Sequence, residues 1–370
     1  MSYKVRFVDP GKNYQLIKEE IDAAYFEIMS KGELIYRSHL KNFEKHLAEF
    51  VGTKYAVGLN SGYHALALSL IAAGIKDGDE VIVPAHTFVA TCSAAVHANA
   101  KPVLVDVDRD FNIDIKKFKA AITKKTRAVI PVHLNGRMAD MDAVMEIAKE
   151  HDLIVIEDAC QSLGAHLNGR KAGSIGHTGC WSFYPFKILG GYGDGGALTT
   201  NDPEIARKAS LLRFNGEDRE TGEYHYHGYT CLLDNMQAAF LDIKLRHLPE
   251  WIKRRRAIAD MYLKGLDGVG DLALPHYSDK RFFDVYQNYV VRTKKRDAAV
   301  KWLKENGVET LVHWRKPYYR HEGLQLEKEG FTETEAISAE SISLPMNVEM
   351  SNEDAQYVIE TLRSFYKQNG

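Results

Sequence analysis

Cysteine is scarce in this chain, and the few that occur lie far apart. Only four are found among 370 residues, with no C-x-x-C pair, at positions 92, 160, 180 and 231. Scattered thiols of this kind fit a reducing cytoplasm, with the side chains simply buried. An excess of charge is lacking too, because 48 Lys and Arg balance 50 Asp and Glu to a formal net charge of −2. No basic stripe indicates nucleic acid as a partner.

Long hydrophobic runs are also missing. No apolar run approaches the ~20 residues that span a bilayer. The opening Met-Ser-Tyr-Lys-Val-Arg lacks the apolar centre of a signal peptide. We therefore expect a cytoplasmic protein with no membrane partner. At 370 residues the chain is long enough for two domains, since single cores rarely grow beyond ~250–300 residues.

The chain does contain a regular alternation of short apolar strands with helical segments. Continuous apolar strands are typical of a parallel sheet whose two faces are covered by helices. The alternation therefore predicts an α/β fold with a doubly wound, mostly parallel sheet. The predicted strands are residues 55–59, 80–84, 101–106, 127–132 and 153–156, and the helices between them are residues 65–73, 88–97, 113–122 and 141–150.

The same patterns divide the chain into two domains. Residues 1–245 are predicted to form the large α/β domain, including an N-terminal helical segment, and residues 246–370 a smaller α+β C-terminal domain. A helical pattern that begins near Met236 stops near Pro249 and resumes as far as Leu266, so it bridges the two domains.

Ligands of doubly wound sheets sit outside the carboxyl ends of the strands, and two of these ends lead into helices. Ser61 and Gly62 follow the first strand. The free N–H groups and positive dipole of the helix that they open suit an anion, although an ordinary N-cap is the alternative. Phe88 follows the second strand, where its ring either covers a planar ligand or packs in the core.

Glu157 and Asp158 follow the strand at residues 153–156. Two adjacent carboxylates at the end of a buried strand are costly unless a positive group meets one of them. A pyridinium nitrogen paired with Asp158 would meet this need and would let the ring act as an electron sink. A salt bridge or a helix cap is the alternative. A metal is not favoured, because no His or Cys lies nearby at ligand spacing.

Lys187 stands between an aromatic run, Trp181 to Phe186, and a loop rich in glycine, Gly190 to Gly196. Burial in such a setting favours the neutral amine, which is the form that reacts with an aldehyde cofactor. The glycines leave room for a close approach. These features indicate that Lys187 carries pyridoxal 5'-phosphate (PLP). The alternative is a solvated surface lysine beside a plain turn.

Four motifs occur in one order at compatible spacings: Asn60-Ser-Gly62, Glu157-Asp-Ala-Cys-Gln161, Ser182-Phe-Tyr-Pro-Phe-Lys187 and Gly193-Asp-Gly-Gly196. Together they resemble the DegT/StrS-type sugar aminotransferase family of fold-type I PLP enzymes, and the resemblance covers essentially the whole chain. It implies transfer of an amino group, from glutamate, to a nucleotide-linked keto-deoxysugar. It also implies a homodimer with active sites at the subunit interface, in deoxyamino-sugar biosynthesis such as that of lipopolysaccharide O-antigen.

The resemblance implies a role for each matching residue. Lys187 forms the Schiff base with PLP, and Asp158 pairs with the pyridine nitrogen. Gln161 hydrogen-bonds the ring hydroxyl, and Phe88 stacks on the ring. The remaining cofactor contacts, mainly to the phosphate, are assigned to Ser61, Gly62, Tyr63, Ser182 and Thr230. The sugar contacts are assigned to a later loop with His313, Trp314 and Tyr318, for which surface aromatics are the alternative.

Two of these positions depart from the family pattern. Tyr63 stands where the family usually has Thr. Thr230 stands where it usually has an Asn that reaches the cofactor phosphate of a neighbouring subunit. Loss of one hydrogen bond to a charged group costs about 1.5–3 kcal/mol, so cofactor binding would be weakened without being abolished.

Three other functions remain as alternatives. In the family, a His in place of the PLP lysine marks sugar dehydratases, so Lys187 favours transamination. A regulatory protein that binds PLP or a nucleotide sugar without turnover would share the same motifs. A nicotinamide oxidoreductase needs Gly-x-Gly-x-x-Gly after the first strand, whereas here Gly190 to Gly196 comes late and leads into a strand-like segment.

Overall fold

A seven-stranded sheet forms the centre of the structure, a computed structural model that describes residues 3–275 and 279–369. The strands are, in chain order, β1 (Tyr55–Leu59), β2 (Glu80–Pro84), β3 (Lys101–Val105), β4 (Thr126–Val129), β5 (Ile154–Asp158), β6 (His166–Leu167), β7 (Arg170–Lys171), β8 (Thr178–Ser182), β9 (Gly196–Thr200), β10 (Glu217–Asp218), β11 (Glu223–Tyr224), β12 (Phe282–Phe283), β13 (Tyr289–Arg292) and β14 (Ser341–Leu344). The central sheet has the order β1-β9-β8-β5-β4-β2-β3.

Most neighbours in this sheet are parallel. The pairs β2–β3, β2–β4, β4–β5 and β5–β8 are parallel, whereas β9 is antiparallel to both β8 and β1. The predicted mostly parallel α/β sheet is therefore confirmed. The exception, β9, is the next strand after β8 and runs in the opposite direction, and the connection between these two strands carries Lys187.

Helices cover both faces of the sheet. They are α1 (Pro10–Leu16), α2 (Lys18–Lys31), α3 (Ser38–Val51), α4 (Gly62–Ala72), α5 (Val89–His97), α6 (Ile115–Ala121), α7 (Met141–Glu150), α8 (Pro203–Leu212), α9 (Asn235–Leu266), α10 (Arg296–Glu305), α11 (Thr332–Glu340) and α12 (Asn352–Asn369). Successive strand residues point to opposite faces, so Ile82 packs in one hydrophobic cluster with α3 and α7, while Val81 and Val83 pack in another with α4, α5 and α8.

A separate hydrophobic cluster lies around the antiparallel pair β13–β14, α10 and α12. The long helix α9 joins this cluster to the large one. Its first half packs against the central sheet through Leu241 and Leu245, and its second half contributes Ile258 and Tyr262 to the smaller cluster. The boundary predicted at residue 245 thus falls inside a continuous helix.

The predicted interruption of this helix at Pro249 is wrong. Proline removes one N–H group from the hydrogen-bonding pattern of a helix. The flanking Leu248 and Ile252 are nevertheless buried in the large cluster, and α9 runs unbroken from Asn235 to Leu266. Packing of the apolar face therefore outweighs the lost hydrogen bond.

Residues 3–275 and 279–369 bear on membrane insertion, metal binding and disulfide formation. No helix there is both long and apolar enough to cross a membrane. No group of three or more His, Cys, Asp or Glu side chains is arranged to hold a metal ion. All four cysteines fall in these ranges and are free thiols.

Candidate active site

A cavity of about 530 Å³ lies beyond the carboxyl ends of β1, β2, β5 and β8, where a doubly wound sheet binds its ligands. Its volume is in the range of small-molecule sites. Ten of the predicted site residues line it together: Ser61, Gly62, Tyr63, Phe88, Asp158, Gln161, Ser182, Lys187, His313 and Trp314.

Lys187 reaches this cavity from the loop between β8 and β9. The loop, residues 183–195, is closed at its base by the pairing of Ser182 with Gly196. The main-chain N–H of Lys187 donates to the carbonyl oxygen of Tyr184, 2.8 Å away. The lysine is half-buried, less than the burial that the sequence predicts for it. Tyr184, its hydrogen-bond partner, is itself exposed.

Asp158 is the last residue of β5 and is 6% exposed. Its Oδ2 accepts a hydrogen bond from Oγ1 of Thr91 on α5 at 2.8 Å, and its Oδ1 accepts one from the main-chain N–H of Cys160 at 3.3 Å. Thr91 is held in turn by Thr87, with 2.9 Å between the two hydroxyl oxygens. These donors fix a carboxylate at the cavity wall, where it can pair with a positively charged ligand atom.

The neighbouring Glu157 is fully buried and serves the fold. Its carboxylate accepts hydrogen bonds from the main-chain N–H groups of Gly173, Ile175 and Gly176 at 2.6–2.8 Å. It also accepts one from Nε2 of His133, 2.8 Å away. The Nδ1 atom of His133 accepts from the N–H of Ala139 at 3.2 Å, so the imidazole carries its hydrogen on Nε2.

The N-terminus of α4 lies at another wall of the cavity. Oγ of Ser61 caps the helix by accepting from the N–H of His64 at 3.2 Å. A Cβ atom at Gly62 would lie 2.8 Å from both Sγ of Cys160 and Cβ of Ser182. Glycine therefore lets the helix end abut Ser182, and the first N–H groups of a helix have no partner within it. The same helix end is therefore capped by Ser61 and is also a potential anion site.

Tyr63 lines the cavity with its ring. Its hydroxyl forms a hydrogen bond with Nδ1 of His97, so the hydroxyl is engaged by the protein. On the opposite side Gln161 accepts hydrogen bonds with its Oε1 atom, from the N–H of Asn135 at 3.0 Å and from Nδ2 of Asn288 at 3.4 Å. This leaves the NH2 group of Gln161 as the donor for a ligand.

Phe88 is not a core residue, because 55% of its surface is exposed. Its ring stacks on that of Trp314, with 6.3 Å between centroids and 30° between planes. His313 lies beside Trp314, and its Nδ1 is 2.9 Å from Oγ of Ser343. Burial and the nearby Lys187 ammonium lower the pKa of His313 to about 4. The imidazole is therefore neutral at physiological pH.

Thr230 and Tyr318, both within the described ranges, lie outside the cavity lining. Tyr318 is buried, and its hydroxyl donates to the carbonyl oxygen of Pro84 at 3.0 Å. That hydroxyl is committed to the fold, so the structure gives Tyr318 a packing position rather than the expected place over the pocket. Thr230 is exposed, and its hydroxyl donates to Oδ1 of Asn215 at 2.9 Å.

Sequence reasoning missed several cavity residues. Thr91, in the first turn of α5, fixes Asp158, and no local pattern in the sequence marks this contact. Gln287 and Asn288 also line the cavity, although they come from the predicted small domain. No local pattern indicates that these two amides reach a site built by the large domain.

Comparisons of the sequence and of the structure with known proteins agree on the family. The sequence profile of the DegT/DnrJ/EryC1/StrS aminotransferase family matches residues 15–363. The "pleiotropic regulatory protein" of Geobacillus stearothermophilus is 41% identical, over 98% of this chain and 99% of its own length. The dTDP-3-amino-3,4,6-trideoxy-alpha-D-glucose transaminase of Streptomyces venezuelae is 38% identical, over 98% and 96%. The X-ray structure of S. venezuelae DesV with a ketimine intermediate has a TM-score of 0.95 at 37% identity, covering 99% of both chains.

Proposed function

This chain belongs to the DegT/DnrJ/EryC1/StrS aminotransferase family, and on that premise we propose that it moves an amino group from glutamate to the keto group of a nucleotide-linked deoxysugar. The family's enzymes depend on PLP, and the cofactor of this chain is PLP. One observation carries the proposal. A lysine, a fixed carboxylate and a helix N-terminus, at Lys187, Asp158 and Gly62, line a single cavity.

The residues of this cavity fit PLP. The cofactor has an aldehyde, a pyridine nitrogen, a ring hydroxyl and a phosphate, and it needs a different partner for each. Lys187 would hold the aldehyde carbon, Asp158 the nitrogen and the NH2 group of Gln161 the hydroxyl, while Phe88 would cover the ring. The phosphate would be held by the free N–H groups at the start of α4, where Gly62 lets the helix end lie against Ser182 and Cys160.

When bound, PLP supplies an aldehyde that combines with amines and a ring that accepts electrons. The protein supplies the proton transfers and the fixed charge. Nζ of Lys187, which lines the cavity, would be the base that takes the proton from the α-carbon of glutamate. Asp158, whose carboxylate is held by Thr91 and the N–H of Cys160, would pair with the ring nitrogen and favour its protonated form. Lys187 and Asp158 would serve the keto-sugar half of the reaction in the same roles.

The sugar would lie against His313 and Trp314. Both residues line the cavity, and the Trp314 ring stacks on that of Phe88. A neutral imidazole and an indole suit a sugar, since they combine hydrogen bonding with a flat apolar face. The S. venezuelae relative is named as a dTDP-sugar transaminase, which supports a nucleotide-linked substrate. The free thiols support a reducing, cytoplasmic setting.

We further propose a homodimer in which each chain completes the other's site. Thr230 lies outside the cavity of its own chain and is exposed together with Tyr229 and Tyr226. An exposed aromatic group of this kind is typical of an interface. From such a position the hydroxyl of Thr230, once rotated away from Asn215, would donate to the phosphate in the neighbouring subunit. Sedimentation of the holoenzyme would test the homodimer. Weaker PLP binding in Thr230→Ala would support the contact between subunits.

The test of the function is a screen of nucleotide-linked keto-sugars with glutamate, in which product mass is measured. We expect one amino-sugar product and its loss in Lys187→Arg, which keeps the charge but cannot bind the aldehyde. A regulatory role is the second candidate, because the Geobacillus stearothermophilus relative is named a regulatory protein. The two separate on incubation with glutamate alone, since an enzyme converts bound PLP to its amine form and a passive binder does not.

A further inference from the structure

One side chain of the predicted small domain holds both peptide groups that flank Lys187. Nε2 of Gln287 donates to the carbonyl oxygen of Phe186, 2.8 Å away. The main-chain N–H of Ile188 donates to Oε1 of the same Gln287, at 2.6 Å. Because peptide groups are planar, holding the plane on each side of the lysine Cα fixes φ and ψ of Lys187. The direction in which its side chain leaves the main chain is then fixed as well.

Gln287 is itself firmly anchored. It is 7% exposed, and its main-chain carbonyl oxygen accepts a hydrogen bond from Nη1 of Arg255 at 3.2 Å. The same nitrogen donates to the carbonyl oxygens of Tyr286 and Met346, both at 3.0 Å. Arg255 belongs to α9 and is 5% exposed. Gln287, which holds the lysine loop, is therefore itself held by α9, the helix that joins the two hydrophobic clusters.

Other contacts hold the same loop farther from the lysine. Nζ of Lys244 donates to the carbonyl oxygen of Gly190 at 2.7 Å and lies 3.9 Å from the centre of the Tyr192 ring. Oε1 of Gln237 accepts from the main-chain N–H of Tyr192 at 3.0 Å. Gln237 thus resembles Gln287 in chemistry but acts on a residue five positions beyond Lys187, which makes it a matched control.

We propose that Gln287 is a positioning residue that presents the Lys187 amine to the cavity in one orientation. The inference rests on the proposed role of Lys187 and deepens it, since it assigns to the small domain control over the group that bonds the cofactor. A primary amide is suited to this task because it offers a donor and an acceptor on one side chain. A carboxylate lacks the donor, and a thioether of similar length offers only a weak acceptor.

The first measurement uses the apoprotein. Amide hydrogen exchange at Ile188 is compared in the wild type, Gln287→Met and Gln237→Met by mass spectrometry with residue-level fragmentation. We expect exchange at Ile188 to be at least tenfold faster in Gln287→Met and close to the wild-type rate in Gln237→Met. Circular dichroism checks that each variant is folded.

The second measurement follows the addition of PLP. The rate of covalent attachment to Lys187, read from the cofactor absorbance, should fall at least tenfold in Gln287→Met. The affinity for pyridoxamine phosphate, which makes no bond to the lysine, should stay within threefold of the wild-type value. A general loss of structure would lower both quantities together, whereas misdirection of the amine lowers only the first.

Wild-type exchange at Ile188 and attachment of PLP within threefold of the wild-type rate, in a folded Gln287→Met protein, would overturn the proposal. If that variant does not fold, Gln287→Glu, which keeps the acceptor for Ile188, is judged by its rate of PLP attachment. If neither folds, Gln287 is a folding residue and the proposal fails. A wild-type protein that never attaches PLP at Lys187 would instead refute the proposed function.

Discussion

Glu157 and Asp158 are adjacent in β5, yet their carboxylates face in opposite directions. Glu157 binds the main-chain N–H groups of Gly173, Ile175 and Gly176 inside the fold, whereas Asp158 lines the cavity. Alternation along a strand places neighbouring side chains on opposite faces. The pair thus combines one acid that stabilises the fold with one that serves the ligand, and substitutions should separate the two roles.

Replacing Glu157 with Gln should destabilise the protein. The amide keeps one acceptor but turns an NH2 group toward main-chain donors, and hydrogen bonds to a charged group contribute about 1.5–3 kcal/mol each. We expect the free energy of unfolding to fall by ~3 kcal/mol, as measured by urea denaturation of the apoprotein. Asp158→Asn is the control, with a smaller loss, because the hydroxyl of Thr91 can rotate and accept from the new NH2 group. Equal losses in the two variants would contradict this division.

Asp158→Asn should bind PLP but turn over slowly. Without the Asp158 carboxylate, the ring nitrogen loses the partner that favours its protonated form, so the ring accepts electrons less well. We expect the rate of conversion of bound PLP by glutamate to fall at least 100-fold, which is about 2.7 kcal/mol in the activation barrier. Stopped-flow absorbance measures this half-reaction directly. A rate within threefold of the wild-type value would remove Asp158 from its proposed role.

Gly62→Ala should weaken the phosphate end of the cofactor site. The added Cβ would lie 2.8 Å from both Sγ of Cys160 and Cβ of Ser182, so the start of α4 must move away from Ser182. We expect the Kd for PLP to rise at least tenfold, as measured by fluorescence titration of the apoprotein. Gly323→Ala is the matched control, because nothing lies within 4 Å of its Cβ position. An unchanged Kd in Gly62→Ala would show that the helix end does not hold the phosphate.

His313 predicts a pH dependence of stability in the apoprotein. Its pKa is about 4, lowered by burial and by the Lys187 ammonium, whereas an imidazole in the unfolded chain titrates near 6.5. Between these values the unfolded chain binds a proton that the folded chain does not. The free energy of unfolding therefore falls as the pH drops from about 6.5 toward 4. In His313→Gln the fall between pH 7 and pH 4.5 should be smaller by ~1–2 kcal/mol. An NMR titration with a midpoint near 6.5 for His313 would contradict this.

Much of the sheet could be predicted because its strands are short apolar runs. Tyr55–Leu59 and Glu80–Pro84 have the predicted bounds. Thr178–Ser182 was not recognised as a strand, since its mixture of Gly, Cys and Trp follows neither alternation nor a continuous branched aliphatic run. The antiparallel direction of β9 was equally hidden, because strand direction depends on how the 13 residues between β8 and β9 turn (183 to 195).

The site shows the same division. Lys187 and Asp158 could be predicted because each is unusual for its local setting, a lysine beside glycines and an acid at a strand end. The groups that fix them could not. Thr91 is 67 residues from Asp158, and Gln287 is 99 residues from Ile188. Contacts over such separations follow from the tertiary packing of α5 and α9, and no local pattern records them.

Ser182 and Gly196 are paired across β8 and β9, so the loop that carries Lys187 leaves the sheet and returns to it at one residue pair. Residues added to or removed from that loop would change how far it extends from the sheet and would leave every strand pairing unchanged. Such a change would nevertheless shift the loop relative to Gln287, Lys244 and Gln237, which hold its main chain, so the length of the loop can vary only together with these contacts.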